Sequence, residues 1–263
     1  MTLDEAPPSW RMPKGVNSSL WQYATSPRIA EDEADFFEGH PLFVQDRKAL
    51  DVRFTEPGPL IDLGCGAGRL SLHFARRKFP VTAVELSRPM LKTLGRNARA
   101  EGVEIRRVRA NLCDLGCFPD HSFEYALSMF STLGMIRGSD ARAKALGEAF
   151  RVLRPGGRLA LHAHNLYLNL ADAQGRFWLI GQLVKHLLKR PDAGDRRMTY
   201  RGIPEMEVHL FRWHELKRLL TRAKFRIDEV LPIDAISSLP IRAPLLCQGL
   251  RAGGWIVFAT RQD

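Results

Sequence analysis

Asp62 closes a short apolar run, and Gly64, Gly66 and Gly68 follow it at alternate positions in "PLIDLGCGAGRL". Glycines so placed let a chain turn sharply and let a ligand approach its backbone closely. A pyrophosphate-binding turn wants glycines at 64, 66 and 69, but position 69 is Arg. A carboxylate at the threshold also repels a phosphate pair and attracts a cation. The ligand that fits is a nucleoside with a cationic head, such as the ammonium and sulfonium of S-adenosylmethionine. Cys65, inside the turn, reads as a small residue whose reactivity is not needed.

Twenty-one residues beyond Gly64, the run "VTAVELS" carries Glu85, placed to accept hydrogen bonds from both hydroxyls of a ribose. That acid points to a nucleoside without choosing between S-adenosylmethionine and NAD. The segment "VRANLCDLGCF" chooses. Its Asn111 can hold the exocyclic amine of adenine by the side-chain carbonyl, while Leu112 offers a backbone N–H and a hydrophobic edge. His162 and His164 stand two apart on "RLALHAHN" and so share a face. His164 lies nearer the carboxyl end of that strand, where such sheets bind their ligands. His209, in "EVHLFRWHEL", lies where the chain re-enters the fold. Both His164 and His209 are candidate general bases, with a hydrogen-bonded structural role as the alternative for each. Trp21 and Tyr23 are candidates to roof the cofactor, or ordinary packing.

These residues need a frame that brings strand ends together. "LIDLG", "VTAVEL", "VEIRRVRA", "SFEYALSMF" and "RLALHAHN" read as five strands separated by helical patterns. Ser87 is placed as an N-cap, Pro89 in a first turn and Gly102 past a helix end. After a break of about forty residues, "RWHELKRLLTRAKF" resumes as a helix, and "RIDEVLPI" and "GGWIVFATR" complete seven strands. The alternation predicts an α/β fold: a Rossmann-like, doubly wound, mostly parallel seven-stranded sheet with helices on both faces. Residues 1–55 form a helical cap segment, with an acidic helical pattern from Ala30 to Arg53, and 56–263 form the main domain. Residues 165–208 are a lid-like insertion, with a helix near 170–190 followed by a basic loop. On that helix Phe177, Ile180, Val184 and Leu187 form one stripe, read as the underside of a lid over the pocket.

On these motifs the chain resembles the class I S-adenosylmethionine-dependent methyltransferases over residues 58–165 and again over 209–260. "LIDLGCGAGRL" is similar to the family's first motif and "AVELS" to its ribose-binding motif. "ANLCDLGCFPDHSFEYALSMFSTLGMI" is similar to its adenine loop and fourth strand, and "AFRVLRPGGRLAL" to the helix and strand after them. The resemblance implies Asp62, Gly64, Cys65 and Gly66 around the methionine moiety and Glu85 and Leu86 at the ribose. It implies Asn111 and Leu112 at adenine and Ser128 or Met129 near the sulfonium, with S-adenosylhomocysteine as product. Asn111 and Glu124 stand where the family often carries Asp, and both keep hydrogen-bonding capacity.

The chain has 263 residues and a net charge of +10. Residues 176–226 hold thirteen Lys or Arg against five Asp or Glu. That surplus leaves RNA, an anionic membrane surface or plain solvent as partners of the insertion. Asp4 and Glu5 stand where a secretory leader would be basic, which predicts a cytoplasmic protein. Cys65, Cys113, Cys117 and Cys247 are read as reduced, and their spacing predicts no metal site. The sequence therefore predicts a methyltransferase acting on a small organic acceptor. A tRNA-modifying enzyme and a non-catalytic S-adenosylmethionine-binding regulator are the alternatives.

Overall fold

The computed structural model describes residues 7–37, 40–241 and 248–263; Asp4, Glu5 and Cys247 lie outside them. Strands β1 (Leu60–Leu63), β2 (Val81–Glu85), β3 (Ile105–Arg109), β4 (Phe123–Ser128) and β5 (Leu153–His164) follow the expected alternation. Between them run α4 (Arg69–Arg76), α5 (Arg88–Ala100), a short α6 (Thr132–Met135) and α7 (Ser139–Val152), the helices α1–α3 lying earlier in the chain. Helix α9 (Trp213–Arg222), β8 (Phe225–Asp234), the single turn α10 (Gln248–Arg251) and β9 (Ala252–Arg261) complete the domain.

The seven strands lie in the order β3-β2-β1-β4-β5-β9-β8. The pairs among β1 to β5 are parallel, and β9 runs antiparallel to both β5 and β8. Side chains alternate faces along each strand. Ile61, Leu63, Ala126, Leu159 and Val257 accordingly join the core under α7 and α9. Leu60, Tyr125, Leu127, Ala160 and Ile256 join the core under α3 and α4. Because β1 is followed outward by β2 and β3 before the chain returns to β4 on its other side, a crevice opens beyond the carboxyl ends of β1 and β4.

The N-terminal acidic pattern is two helices, α2 (Pro27–Phe37) and α3 (Pro41–Asp51), preceded by α1 (Ser18–Thr25). Pro41 cannot extend a helix through its missing N–H but suits a first turn, and His40 caps it by accepting the Leu42 N–H at 3.2 Å. After β5 a 3₁₀ turn (Leu166–Ala171) leads into α8 (Ala173–Leu187). The expected basic loop is instead a two-stranded hairpin, β6 (Asp195–Tyr200) and β7 (Ile203–His209).

Candidate active site

Gly64 and Gly66 carry φ of 76° and 56°, a left-handed backbone that side chains resist. A Cβ on Gly66 would collide with the carboxylate of Glu33, and one on Gly64 with the side chain of Thr132. Asp62 lies beneath the turn, buried, and accepts the Ser71 hydroxyl at 2.7 Å. Burial lifts its pKa to about 6 against the opposing bond from Ser71. Glu85 accepts the backbone N–H groups of Gly66 and Ser87, each at 3.0 Å, and burial raises it too.

A third carboxylate arrives from the N-terminal segment. Glu33 of α2 accepts the Ala67 N–H at 3.0 Å and the Tyr23 hydroxyl at 3.4 Å, and burial pushes its pKa up to about 7. Nothing in the run "EDEAD" singles it out from its neighbours. All three acids border one cavity of about 1010 Å³. Small-molecule sites usually fall at ~300–1,000 Å³, so this one has room for a nucleoside and a second molecule.

Asp62, Gly64, Cys65, Gly66, Glu85, Leu86, Asn111, Leu112, Met129 and His164 all border this cavity, as does Tyr23. Ser128 does not: it follows Leu127 on β4, faces the α7 side, and lines a small separate void with Leu133 and Ala145. Asn111 is engaged otherwise than expected. Its side-chain oxygen accepts the Cys113 N–H at 3.0 Å and its amide donates to the Lys14 carbonyl at 2.9 Å. An adenine amine must therefore share that oxygen or meet backbone nearby.

His209 is displaced from any catalytic position. Among the described residues its neighbours Val208 and Leu210 reach the cavity wall and it does not, as strand alternation requires. Its ring is buried, 2.6 Å from Asp195 through Nδ1 and 2.8 Å from Glu215 through Nε2. Burial draws its pKa down, but the two carboxylate bonds outweigh that and raise it. A His with a raised folded pKa stabilises the fold fully below its unfolded value near 6.5, and loses that contribution as pH rises through the folded value. His209→Leu should cost on the order of 3 kcal/mol by stranding two carboxylates between hairpin and α9. Thermal unfolding at mildly acid pH checks this, and the gap to native protein should narrow at alkaline pH. An unchanged midpoint there would remove the clamp.

The lid reading of α8 is corrected. Among the described residues, none from α8 borders the cavity. Phe177, Ile180, Val184 and Leu187 are 80%, 61%, 50% and 82% exposed. Gly175, Leu179 and Gln182 form the buried face instead. The roof comes from Leu20 and Tyr23 of α1, Phe43 and Arg47 of α3, and Arg196, Met198, Tyr200, Met206 and Val208 of the hairpin.

Comparison with known proteins agrees with this geometry. The methyltransferase-domain family matches residues 60–157, from β1 into β5. The demethylmenaquinone methyltransferase of Thermus thermophilus is 36% identical over 118 residues, 44% of this chain and 51% of that one. A S-adenosylmethionine-dependent methyltransferase of Methanosarcina mazei superposes with a TM-score of 0.64 at 24% identity, over 79% of this chain and 94% of that one. Residues 60–157 are those of the methyltransferase-domain family, and the fold is that of the solved S-adenosylmethionine-dependent methyltransferases.

A ubiquinone/menaquinone biosynthesis C-methyltransferase of Geobacter sulfurreducens is 31% identical over 115 residues, 42% of this chain and 43% of that one. The 1,6-didemethyltoxoflavin-N1-methyltransferase of Burkholderia thailandensis, solved with S-adenosylhomocysteine, has a TM-score of 0.62 at 19% identity, over 90% of this chain and 85% of that one. The chain spans about half the length of the curated relatives it matches. The family cofactor is S-adenosylmethionine, and the residues present suit it. Three acids whose pKa burial raises would each be relieved by a cation at the turn, and the glycine backbone leaves room for a ligand against it. Among the described residues no helix is long and apolar enough to cross a membrane.

Proposed function

We propose that this chain transfers a methyl group from S-adenosylmethionine to a small, largely apolar organic acceptor. The observation that carries this reading is the make-up of the cavity at the glycine turn. It joins the acid-lined glycine turn to walls formed by Phe43, Met129, Phe130, Met198, Met206 and Leu210. S-adenosylmethionine supplies an electrophilic methyl carbon when bound. The rest of the task is alignment and exclusion of water.

Asp62 and Glu33 favour a cation at the turn, Glu85 accepts from ribose hydroxyls, and Leu86 and Leu112 flank the base. Helices α1–α3 and the hairpin close over both ligands. Part of the basic surplus of 176–226 is engaged locally. Arg197 meets Glu205 and Glu207 at 3.5 and 3.4 Å, Arg226 meets Asp228 at 2.9 Å, and Arg196 turns into the cavity. That arrangement favours a small molecule over RNA.

His164 borders the chamber beside Phe130, with ring centroids 5.9 Å apart. Burial, aided by the neighbouring His162, holds its pKa at about 3. A group so weakly basic is neutral at ordinary pH and orients an acceptor by hydrogen bonding better than it removes a proton. His164→Ala should lower kcat about tenfold, the loss of roughly one hydrogen bond, without removing any limb of the pH–rate profile near neutrality. A limb near neutral pH that vanishes in the variant would make His164 a true base.

Tritiated methyl transfer into fractionated cell extract tests the reading as a whole. Label is expected in an organic-extractable small molecule. Label confined to RNA or protein, or none in any fraction, would reject it.

A further inference from the structure

We infer that the exposed face of α8 is a docking surface for an anionic lipid bilayer. Six large apolar residues, Phe177, Ile180, Leu183, Val184, Leu187 and Leu188, are between 40% and 82% exposed. On a 3.6-residue turn they occupy an arc of roughly 140°, diametrically opposite the buried Gly175, Leu179 and Gln182. The buried side is fixed by more than apolarity. A Cβ at Gly175 would strike the Asn169 backbone, and the Gln182 side chain accepts the Gly194 N–H at 2.9 Å. The apolar arc is thus held outward by the fold.

Its charge setting selects the occupant. From Ala173 to Pro191 the chain carries Arg176, Lys185, Lys189 and Arg190 and no acid. The nearest acid downstream, Asp192, meets Lys185 at 2.7 Å and Arg190 at 3.7 Å, so the segment keeps a clear positive surplus. An apolar stripe bordered by bases is what an interfacial helix needs to lie at the headgroup boundary of an anionic leaflet. A second copy of the chain suits the face poorly, because an isologous contact would set the same four bases against each other. At 15 residues, about 22 Å, α8 is too short to span a bilayer and lies on it instead.

The docked face is coupled to the chamber through its neighbours. The 3₁₀ turn feeding α8 places Leu168 in the cavity wall, and Arg196, another wall residue, lies over the Trp178 ring of α8 at 5.6 Å. Taken with the proposed function, on which this last step rests, docking would let an apolar acceptor pass from the lipid phase to the chamber.

The test is flotation of the full chain with vesicles of phosphatidylcholine alone and of phosphatidylcholine with phosphatidylglycerol. Binding to the mixed vesicles should exceed binding to neutral ones, fall with salt, and drop by about tenfold or more in Phe177→Ser/Ile180→Ser/Leu187→Ser. All three positions are exposed, so the variant should keep its thermal midpoint and its heat of S-adenosylmethionine binding. No flotation, or flotation indifferent to the variant or to lipid charge, would overturn the inference. So would a lipid-free dimer that the same variant dissociates, which would give the face to a second copy. Flotation is read without turnover, so its failure leaves the methyl-transfer reading standing, and the failure of that reading leaves the docking surface standing.

Discussion

Glu85→Ala should bind S-adenosylmethionine and S-adenosylhomocysteine about a hundredfold to a thousandfold more weakly than the native chain, with the same loss for both ligands. The carboxylate stands at the end of β2, half-buried, between the Gly66 and Ser87 N–H groups. Its remaining lone pairs face the cavity, where two ribose hydroxyls can each donate to it. A hydrogen bond to a charged group contributes roughly 1.5–3 kcal/mol, so losing two weakens binding by about 3–4 kcal/mol after partial compensation by water. The loss is common to both ligands because they share the ribose and differ at sulfur. Glu85→Gln keeps one acceptor and should lose only about tenfold. Titration calorimetry checks all three proteins. Native-like affinity in Glu85→Ala would mean that the nucleoside lies elsewhere.

The frame and the cofactor end were readable because each rests on local pattern. The four-residue run Leu60–Leu63, apolar but for Asp62 and bounded by Pro59 and Gly64, reads as a short buried strand, and Gly66, required by its left-handed backbone, marks the turn directly. The sheet's outer half followed from the same punctuation. What failed depended on contacts distant in sequence. His209 looked like a base because the two carboxylates that clamp it lie 14 residues before and 6 residues after it on other elements. Of the alternatives Ser128 and Met129, the one that borders the cavity is Met129, just past the end of β4, because Ser128 faces the other side of the sheet.

The insertion shows a different limit. The period of α8 was read correctly, but a hydrophobic stripe says that a helix has a face, not what the face meets. Here the direction is set by Gly175 and Gln182, which no hydropathy pattern ranks as core. The hairpin after it had a legible signal that its charge concealed. Arg201 and Gly202 both carry positive φ, 50° and 80°, the signature of a two-residue hairpin turn, and the glycine was visible in "TYRGIPE". Glu33 had none, since which of the several acids on α2 faces the glycine turn is decided only by the packing of α1, α2 and the hairpin.

The preference for S-adenosylmethionine over S-adenosylhomocysteine should rise with pH, by about tenfold between roughly pH 5 and pH 8. Only the former carries the sulfonium charge, so their ratio isolates the electrostatic part of recognition. Asp62 ionises at about 6 and Glu33 at about 7, above their ordinary 3.8 and 4.5, chiefly because burial disfavours the anion. Below these values both acids are neutral and a cation gains little; above them each anion attracts it. The sign for stability is the reverse. An acid whose folded pKa is raised favours the folded state most below its unfolded value, and that contribution is lost as pH climbs through the folded value. The ligand-free chain should therefore lose thermal stability between about pH 4 and pH 7 through these groups, and the cationic ligand should restore more of it than the neutral one does. Glu33→Gln removes one of these ionisations while keeping an amide oxygen that can still accept the Ala67 N–H of the glycine turn, and should flatten both curves by roughly half. Binding near pH 6.5 should also release protons, seen as a heat that varies with the ionisation enthalpy of the buffer. An affinity ratio that stays level across this range would show that the acids beneath and beside the turn do not read the charge on sulfur.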